Sequence, residues 1–127
     1  MLYTSYIAKL NKLPLYITKV IISRFPPKWL DISKYNKLYI MKELALSREL
    51  LLQYKKDNNW DNYVNRFTYE MNNRMDMKKK INSLLGFLQK GNGVILICFE
   101  KEYTHCHRYL LAQYFVKQGI QWKEYTD

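Results

Sequence analysis

The stretch that most constrains the fold covers residues 94–115, VILICFEKEYTHCHRYLLAQYF. Its first segment, Val94–Cys98, is entirely apolar, which predicts a strand buried on both faces. A helix with an apolar face is predicted over residues 105–115. Strands buried on both faces are typical of parallel sheets that lie between layers of helices. This strand–loop–helix unit therefore predicts an α/β protein with a mostly parallel sheet.

The remaining segments predict one compact domain over residues 1–127. Strands are predicted over residues 2–8, 15–23 and 120–125, and helices over residues 48–56, 61–74 and 77–90. Ser47 and Asp76 are the predicted N-caps of the first and third of these helices. Residues 28–46 are irregular, and either short helical turns or a loop over the site would fit them. The order of elements predicts a Rossmann-like, three-layer fold.

The composition indicates a basic cytoplasmic protein. Lys and Arg outnumber Asp and Glu by 21 to 11, which favours an anionic partner such as a nucleotide, nucleic acid or phosphate. The competing explanation is codon bias, since Lys, Asn, Tyr and Ile are abundant together, as in a phage or a low-G+C bacterium. Two cysteines cannot build a disulfide framework, and neither a signal peptide nor a membrane-spanning run is recognised. We therefore expect reduced thiols and no membrane partner, while the oligomeric state stays undetermined.

Polar residues follow several of the predicted strands, and in an open parallel sheet ligands bind outside the carboxyl ends of the strands. The helix predicted to begin near His105 would direct its free N–H groups toward the same crevice, where they favour an anion. The predicted anion-binding residues are Ser5, Tyr6, Arg24 and Arg108. Each arginine has a structural alternative, which for Arg108 is an ion pair with Glu100 or Glu102.

The predicted catalytic residues are Cys98, Glu100 and His107. Cys98 or Glu100 would perform the chemistry, and His107 would act as acid and base or as the orienting group. The alternative for Cys98 is a small buried hydrophobic residue. A zinc site from Cys98, Cys106 and a histidine is disfavoured, because paired metal-ligand spacing is absent and consecutive helical residues diverge by about 100°. No cofactor is predicted, since the dinucleotide, P-loop and cysteine-phosphatase signatures are all missing.

The sequence Cys98-Phe99-Glu100-Lys101, followed by Cys106-His107-Arg108, resembles the signature of the domain-of-unknown-function family numbered 488. The resemblance covers almost the whole chain, including residues 3–6, 24–29, 44–54 and 119–124. Leu46 departs from it, because a proline is common at that position. The resemblance implies a Rossmann-like three-layer fold but no reaction. The site positions that it implies are Tyr6, Arg24, Cys98, Glu100, Cys106, His107 and Arg108.

Two functional hypotheses follow. The first is an anion-binding α/β protein that acts as an enzyme on a nucleotide, a nucleic-acid base or a phosphorylated ligand. The second is a non-catalytic binding or interaction module, such as a phage-encoded inhibitor, in which the polar cluster is a structural hydrogen-bond network. Whether the protein is an enzyme is left open by the sequence.

Overall fold

A five-stranded sheet forms the centre of the protein, of which the computed structural model describes residues 1–125. The strands are β1 (Leu2–Tyr6), β2 (Thr18–Ile21), β3 (Leu38–Ile40), β4 (Val94–Cys98) and β5 (Trp122–Glu124). Their spatial order is β3-β2-β4-β1-β5, and every adjacent pair is parallel. The predicted α/β class with a parallel sheet is confirmed.

Four α-helices and four short 3-10 helices connect these strands. The α-helices are α1 (Arg48–Asp57), α2 (Trp60–Asn73), α3 (Met75–Gln89) and α4 (His107–Lys117). The 3-10 helices cover Ile7–Lys12, Ile32–Lys34, Lys42–Leu44 and Tyr103–His105. No helix in the described part of the chain has the length and hydropathy that crossing a bilayer requires.

The central strand β4 is buried on both faces, as its composition predicts. Val94, Leu96 and Cys98 point to one side, where they join a core with apolar residues from all four α-helices. Ile95 and Ile97 point to the other side, into a smaller core beneath the 3-10 helix Ile7–Lys12 and nearby loops. The three layers are therefore unequal, because all four α-helices pack on the same face of the sheet.

Several predicted boundaries are wrong. The short edge strand β3 was not predicted, since its three residues lie in a segment without clear periodicity. Asp76 does not cap α3, because the helix begins at Met75 and Asp76 instead forms an ion pair with Arg74 at 3.1 Å. Hydrogen bonding to Arg74 lowers the pKa of the Asp76 carboxyl.

The helix predicted from residue 105 begins two residues later. His105 ends a 3-10 turn, and Cys106 has an extended backbone at φ −137° and ψ 148° as the N-cap of α4. Glycine follows the helix at Gly119, whose φ of 91° suits a residue without a side chain. The junction after β4 is therefore a loop with a 3-10 turn, and the α-helix begins only after Cys106.

Ser47 caps α1, as predicted, and it also ties α1 to the adjacent helix. Its hydroxyl accepts a hydrogen bond from Leu50 N at 3.2 Å. Glu70 on α2 accepts hydrogen bonds from the Ser47 backbone N–H and hydroxyl at 2.8 and 2.5 Å. Arg74 then binds Glu70 at 3.0 Å and the carbonyl oxygen of Ala45 at 2.7 Å. This network fixes the segment before α1 against α2.

We expect Ser47→Ala to lower the free energy of unfolding by about 1–2 kcal/mol, because it removes both the cap and a partner of the buried Glu70 carboxylate. Urea denaturation followed by circular dichroism measures this change. Ser83→Ala, at an exposed position inside α3, is the matched control and should change stability by less than about 0.5 kcal/mol. Equal effects of the two substitutions would contradict the assigned role of Ser47.

Candidate functional site

A cavity of about 360 Å³ opens at the carboxyl ends of β2 and β4, on the face that carries the α-helices. This size is within the range of small-molecule sites. Its wall combines charged, imidazole, hydroxyl, aromatic and aliphatic groups. The lining residues are Ser23, Arg24, Phe25, Leu46, Leu51, Tyr54, Lys55, Tyr63, Phe99, Glu100, His105 and His107. Segments distant in sequence thus meet where the parallel-sheet rule predicts a ligand.

Arg24 lies just beyond the end of β2 and lines this cavity. Its Nε donates a hydrogen bond to the carbonyl oxygen of Leu46 at 2.8 Å, which holds the guanidinium against the segment before α1. Within residues 1–125 this is the only hydrogen bond of the guanidinium. The two terminal nitrogens are therefore able to bind a carboxylate or phosphate in the planar, bidentate manner of arginine.

His107 begins α4 and is buried, with its ring edge at the cavity wall. Its Nε2 lies 2.8 Å from the carbonyl oxygen of Ile22, so Nε2 carries the proton and donates this hydrogen bond. Burial lowers the pKa of the imidazole, against the opposing effects of the Ile22 carbonyl and the charge of Glu100. A neutral ring with an unprotonated Nδ1 is therefore favoured at neutral pH.

Glu100 contributes an exposed carboxylate at the cavity, from the loop after β4. Its Oε2 lies 3.4 Å from the sulfur atom of Cys106. Tyr63 forms part of the same wall, and burial raises the pKa of its hydroxyl, with a further contribution from the negative charge of Glu100. Tyr63 therefore remains a neutral phenol at neutral pH.

Arg108 is fully buried and does not line the cavity. Its Nη1 binds Cys98 Sγ at 2.7 Å and the carbonyl oxygen of Glu100 at 2.5 Å. Its Nη2 binds the carbonyl oxygen of Lys101 at 2.9 Å. The ion pair is formed with Glu124 at 2.9 Å, and not with Glu100 or Glu102 as the structural alternative proposed. The guanidinium thus fixes the loop after β4 from behind the cavity.

Glu124 was not among the predicted site residues, although it organises this buried network. It accepts hydrogen bonds from Arg108 and, at 2.6 Å, from the hydroxyl of Thr4 on β1. Trp122 Nε1 donates to the same Thr4 hydroxyl at 2.8 Å. The parallel pairing of β5 with β1 brings these residues together across about 120 positions, with Thr4 opposite Glu124. Local sequence carries no signal for such a contact.

Cys98 and Cys106 meet behind Glu100, and both are almost fully buried. The structure joins their sulfur atoms in a disulfide, so the expectation of reduced thiols is wrong for this pair, although their Cα atoms lie 7.8 Å apart. Cys106 Sγ is also 3.8 Å from His107 Nδ1. The ligand atoms of Cys98, Cys106 and His107 all lie within 4.8 Å of one another, so these residues form the group in the described chain that is best placed to hold a metal ion.

The predicted site residues on β1 lie away from the cavity wall. Ser5 is opposite Ile97 in the sheet and fully buried, and its hydroxyl has no hydrogen-bond partner within residues 1–125. Tyr6 is opposite Cys98, with the ammonium of Lys9 5.9 Å from the centre of its ring. The structure therefore gathers Arg24, Glu100 and His107 in one cavity, whereas Cys98 and Arg108 lie behind it.

Comparison with known proteins identifies one relationship. The family model DUF488-N3a, described as the active DUF488-N3 subclade, matches residues 5–119. The matched segment contains every predicted site residue, from Ser5 to Arg108, but ends before Glu124. No curated protein and no solved structure matches the chain significantly.

Proposed function

The chain belongs to the DUF488 family, and from that premise we propose that it binds a nucleotide or a similar phosphorylated planar molecule and acts on it as an enzyme. The observation that carries the proposal is the composition of one cavity, which combines a cation, aromatic rings and a carboxylate. Each of these groups suits a different part of such a ligand. The basic composition of the protein, with a net charge of +10, is favourable for an anion as well.

Arg24 is the proposed phosphate contact. Its terminal nitrogens are free of hydrogen bonds within the described chain, and its Nε anchor at Leu46 already restricts the side chain. A side chain that is already restricted loses less conformational entropy when it binds a ligand, which favours binding. Lys55 lies on the same wall and adds positive charge. Arg108 is not part of this proposal as an anion contact, because its donors are engaged by Glu124, Cys98 and backbone carbonyls.

Phe25 and Phe99 are the proposed stacking residues. They are 63% and 59% exposed while they line the cavity. Contiguous apolar surface beside a cavity often marks a ligand-binding groove. Stacking of a base on an aromatic ring is worth about 1–3 kcal/mol. A planar base between or beside these rings would leave its phosphate free to reach Arg24.

Glu100 is the proposed proton-transferring group. It lies in the cavity beside the imidazole of His107, and an exposed carboxylate has access to both ligand and water. His107 acts as the orienting group in this proposal, because its Nε2 is committed to the carbonyl of Ile22. Cys98 lies behind the cavity and would act on a ligand only after the loop that follows β4 had moved.

Isothermal titration calorimetry with nucleoside monophosphates, inorganic phosphate and unphosphorylated nucleosides tests the binding. A nucleoside monophosphate should bind more tightly than inorganic phosphate or the nucleoside, because only the monophosphate contacts both Arg24 and the aromatic rings. Arg24→Ala should weaken its binding by about 10-fold to 100-fold, the usual effect of losing a charged hydrogen-bond donor. Arg48→Ala, an exposed arginine outside the cavity wall, should leave the affinity unchanged.

Catalysis is tested separately by mass spectrometry of each bound nucleotide after incubation. The expected result is a product that wild-type protein forms and that Glu100→Gln does not, although the variant still binds. Absence of binding by every compound, or equal affinities of wild type and Arg24→Ala, would overturn the proposed function. Binding without a product would overturn its catalytic part alone.

A second candidate function is a non-catalytic interaction module. Trp29 favours it, since this side chain is 68% exposed on the loop after β2 and lies outside the cavity wall. Exposed tryptophans are enriched at the centres of protein interfaces. If Trp29→Ala abolished binding to a partner protein while Arg24→Ala had no effect on it, this second function would be supported over the first.

A further inference from the structure

The two cysteines and His107 converge at a single buried point behind Glu100. Their ligand atoms lie within 4.8 Å of one another, and the three residues are between 0% and 4% exposed. Two soft sulfur ligands and one imidazole form a ligand set that zinc prefers. We propose that Cys98, Cys106 and His107 form a zinc-binding site whose fourth position faces the cavity, once a thiol reductant has opened the Cys98–Cys106 disulfide. This proposal does not depend on nucleotide binding.

The spacing of the backbones favours a metal between the sulfurs. The Cα atoms of Cys98 and Cys106 are 7.8 Å apart, whereas a disulfide usually joins Cα atoms that are about 4.4–6.8 Å apart. A zinc ion adds two bonds of about 2.3 Å each between the cysteines, so it spans a wider separation than one sulfur–sulfur bond.

Cys106 and His107 are consecutive in sequence, but the N-cap conformation of Cys106 allows both side chains to reach the same point. Consecutive residues inside a helix diverge by about 100°, but Cys106 has an extended backbone and only His107 is helical. The two side chains consequently converge, with Cys106 Sγ 3.8 Å from His107 Nδ1. Sequence periodicity alone places both residues in the helix and so predicts the opposite.

The surrounding groups hold the ligands as an outer shell of a metal site would. His107 donates its Nε2 proton to the carbonyl of Ile22 at 2.8 Å, which directs the lone pair of Nδ1 toward the sulfurs. Metal-binding histidines are oriented in this way by backbone carbonyls or carboxylates. Arg108 donates to Cys98 Sγ at 2.7 Å, a contact that would stabilise the thiolate formed on reduction. Two thiolates would balance the charge of Zn²⁺ in this buried place.

The fourth position would be directed toward Glu100. Its Oε2 lies 3.4 Å from Cys106 Sγ, and both Glu100 and His107 line the cavity. Three protein ligands with a fourth position open to a cavity are the arrangement of catalytic rather than structural zinc sites. The site would accordingly bind a water molecule, or the Glu100 carboxylate, where a ligand can reach it.

Titration of the reduced, metal-free protein with Co²⁺ under anaerobic conditions tests the proposal, because thiolate coordination gives a characteristic sulfur-to-cobalt absorption band. The expected result is a single Co²⁺ per chain, the intense visible bands of tetrahedral cobalt, and displacement by Zn²⁺. Zn²⁺ should also slow the alkylation of both thiols. A reduced wild-type protein that shows neither the band nor slower alkylation would overturn the proposal.

Variants distinguish this site from non-specific metal binding elsewhere on the protein. Cys106→Ser should lose the sulfur-to-cobalt band or retain only a weaker one, whereas His105→Ala, which alters the exposed neighbouring histidine, should retain it. The Co²⁺ titration of the wild-type protein tests the zinc site by itself, so the test does not depend on whether a variant folds. If the purified protein has lost two hydrogens as a disulfide and still binds no metal after reduction, the cysteines form a redox pair and the proposal is wrong.

Discussion

Replacing Arg108 with methionine is expected to lower the free energy of unfolding by about 3–5 kcal/mol, the usual cost of removing one partner from a buried ion pair. The guanidinium is fully buried and donates to Glu124, Cys98 and the carbonyls of Glu100 and Lys101. Methionine has similar length but no donor. The Glu124 carboxylate, of which only 14% of the side chain is exposed, would lose its charged partner. Urea denaturation followed by circular dichroism measures the effect.

The double variant Arg108→Met/Glu124→Gln tests whether the unpaired charge of Glu124 causes this loss of stability. Removing both charges should recover part of the lost stability, since an unpaired buried charge costs more than a missing pair. Arg66→Ala, at an exposed position on α2, is the matched control and should change stability by less than about 0.5 kcal/mol. If Arg108→Met barely altered stability and instead removed a stabilising effect of phosphate, the residue would be an anion contact after all.

Replacing Phe67 with alanine is expected to lower the free energy of unfolding by about 3–5 kcal/mol. Phe67 is completely buried on α2, in the core between the helices and the sheet. Its ring centre lies 5.8 Å from that of His107 in an edge-to-face arrangement and 6.3 Å from that of Tyr63. The substitution therefore removes buried apolar area and leaves a void beneath the imidazole. Chemical denaturation of the purified variant provides the measurement.

Phe87→Ala is the control for this prediction, because Phe87 lies on α3 but is 38% exposed. It should cost clearly less than Phe67→Ala, since less apolar surface is returned to water. Phe67→Leu should cost less than Phe67→Ala, because it leaves a smaller void. Equal losses for Phe67→Ala and Phe87→Ala would mean that Phe67 does not form the packed support of His107.

β4 could be predicted because it is covered on both of its faces. A strand covered on two faces needs apolar residues at every position, and Val94–Cys98 has them. α1 was predicted from Ser47, whose capping hydroxyl acts within a few residues and so leaves a local signal. β3 was missed because three residues at the sheet edge carry no such pattern.

The cavity could be predicted only in part. Arg24 and Glu100 follow strands directly, so the rule for parallel sheets brings them together once the fold is assumed. Tyr54 and Tyr63 contribute to the wall from α1 and α2. Nothing in their local sequence indicates that role, because the packing angle of a helix on the sheet decides which of its side chains reach the edge.

The sequence by itself determined the α/β class, the central apolar strand and the polar junction that follows it, since periodicity and burial act over neighbouring residues. The tertiary structure alone decided how that junction is used. It turned Arg108 inward to Glu124, whose strand pairs with β1 at the far end of the chain. It also gave Cys106 an extended backbone, which brings its sulfur to Cys98 and His107. Such contacts join residues that no local pattern connects, so only the assembled sheet could establish them.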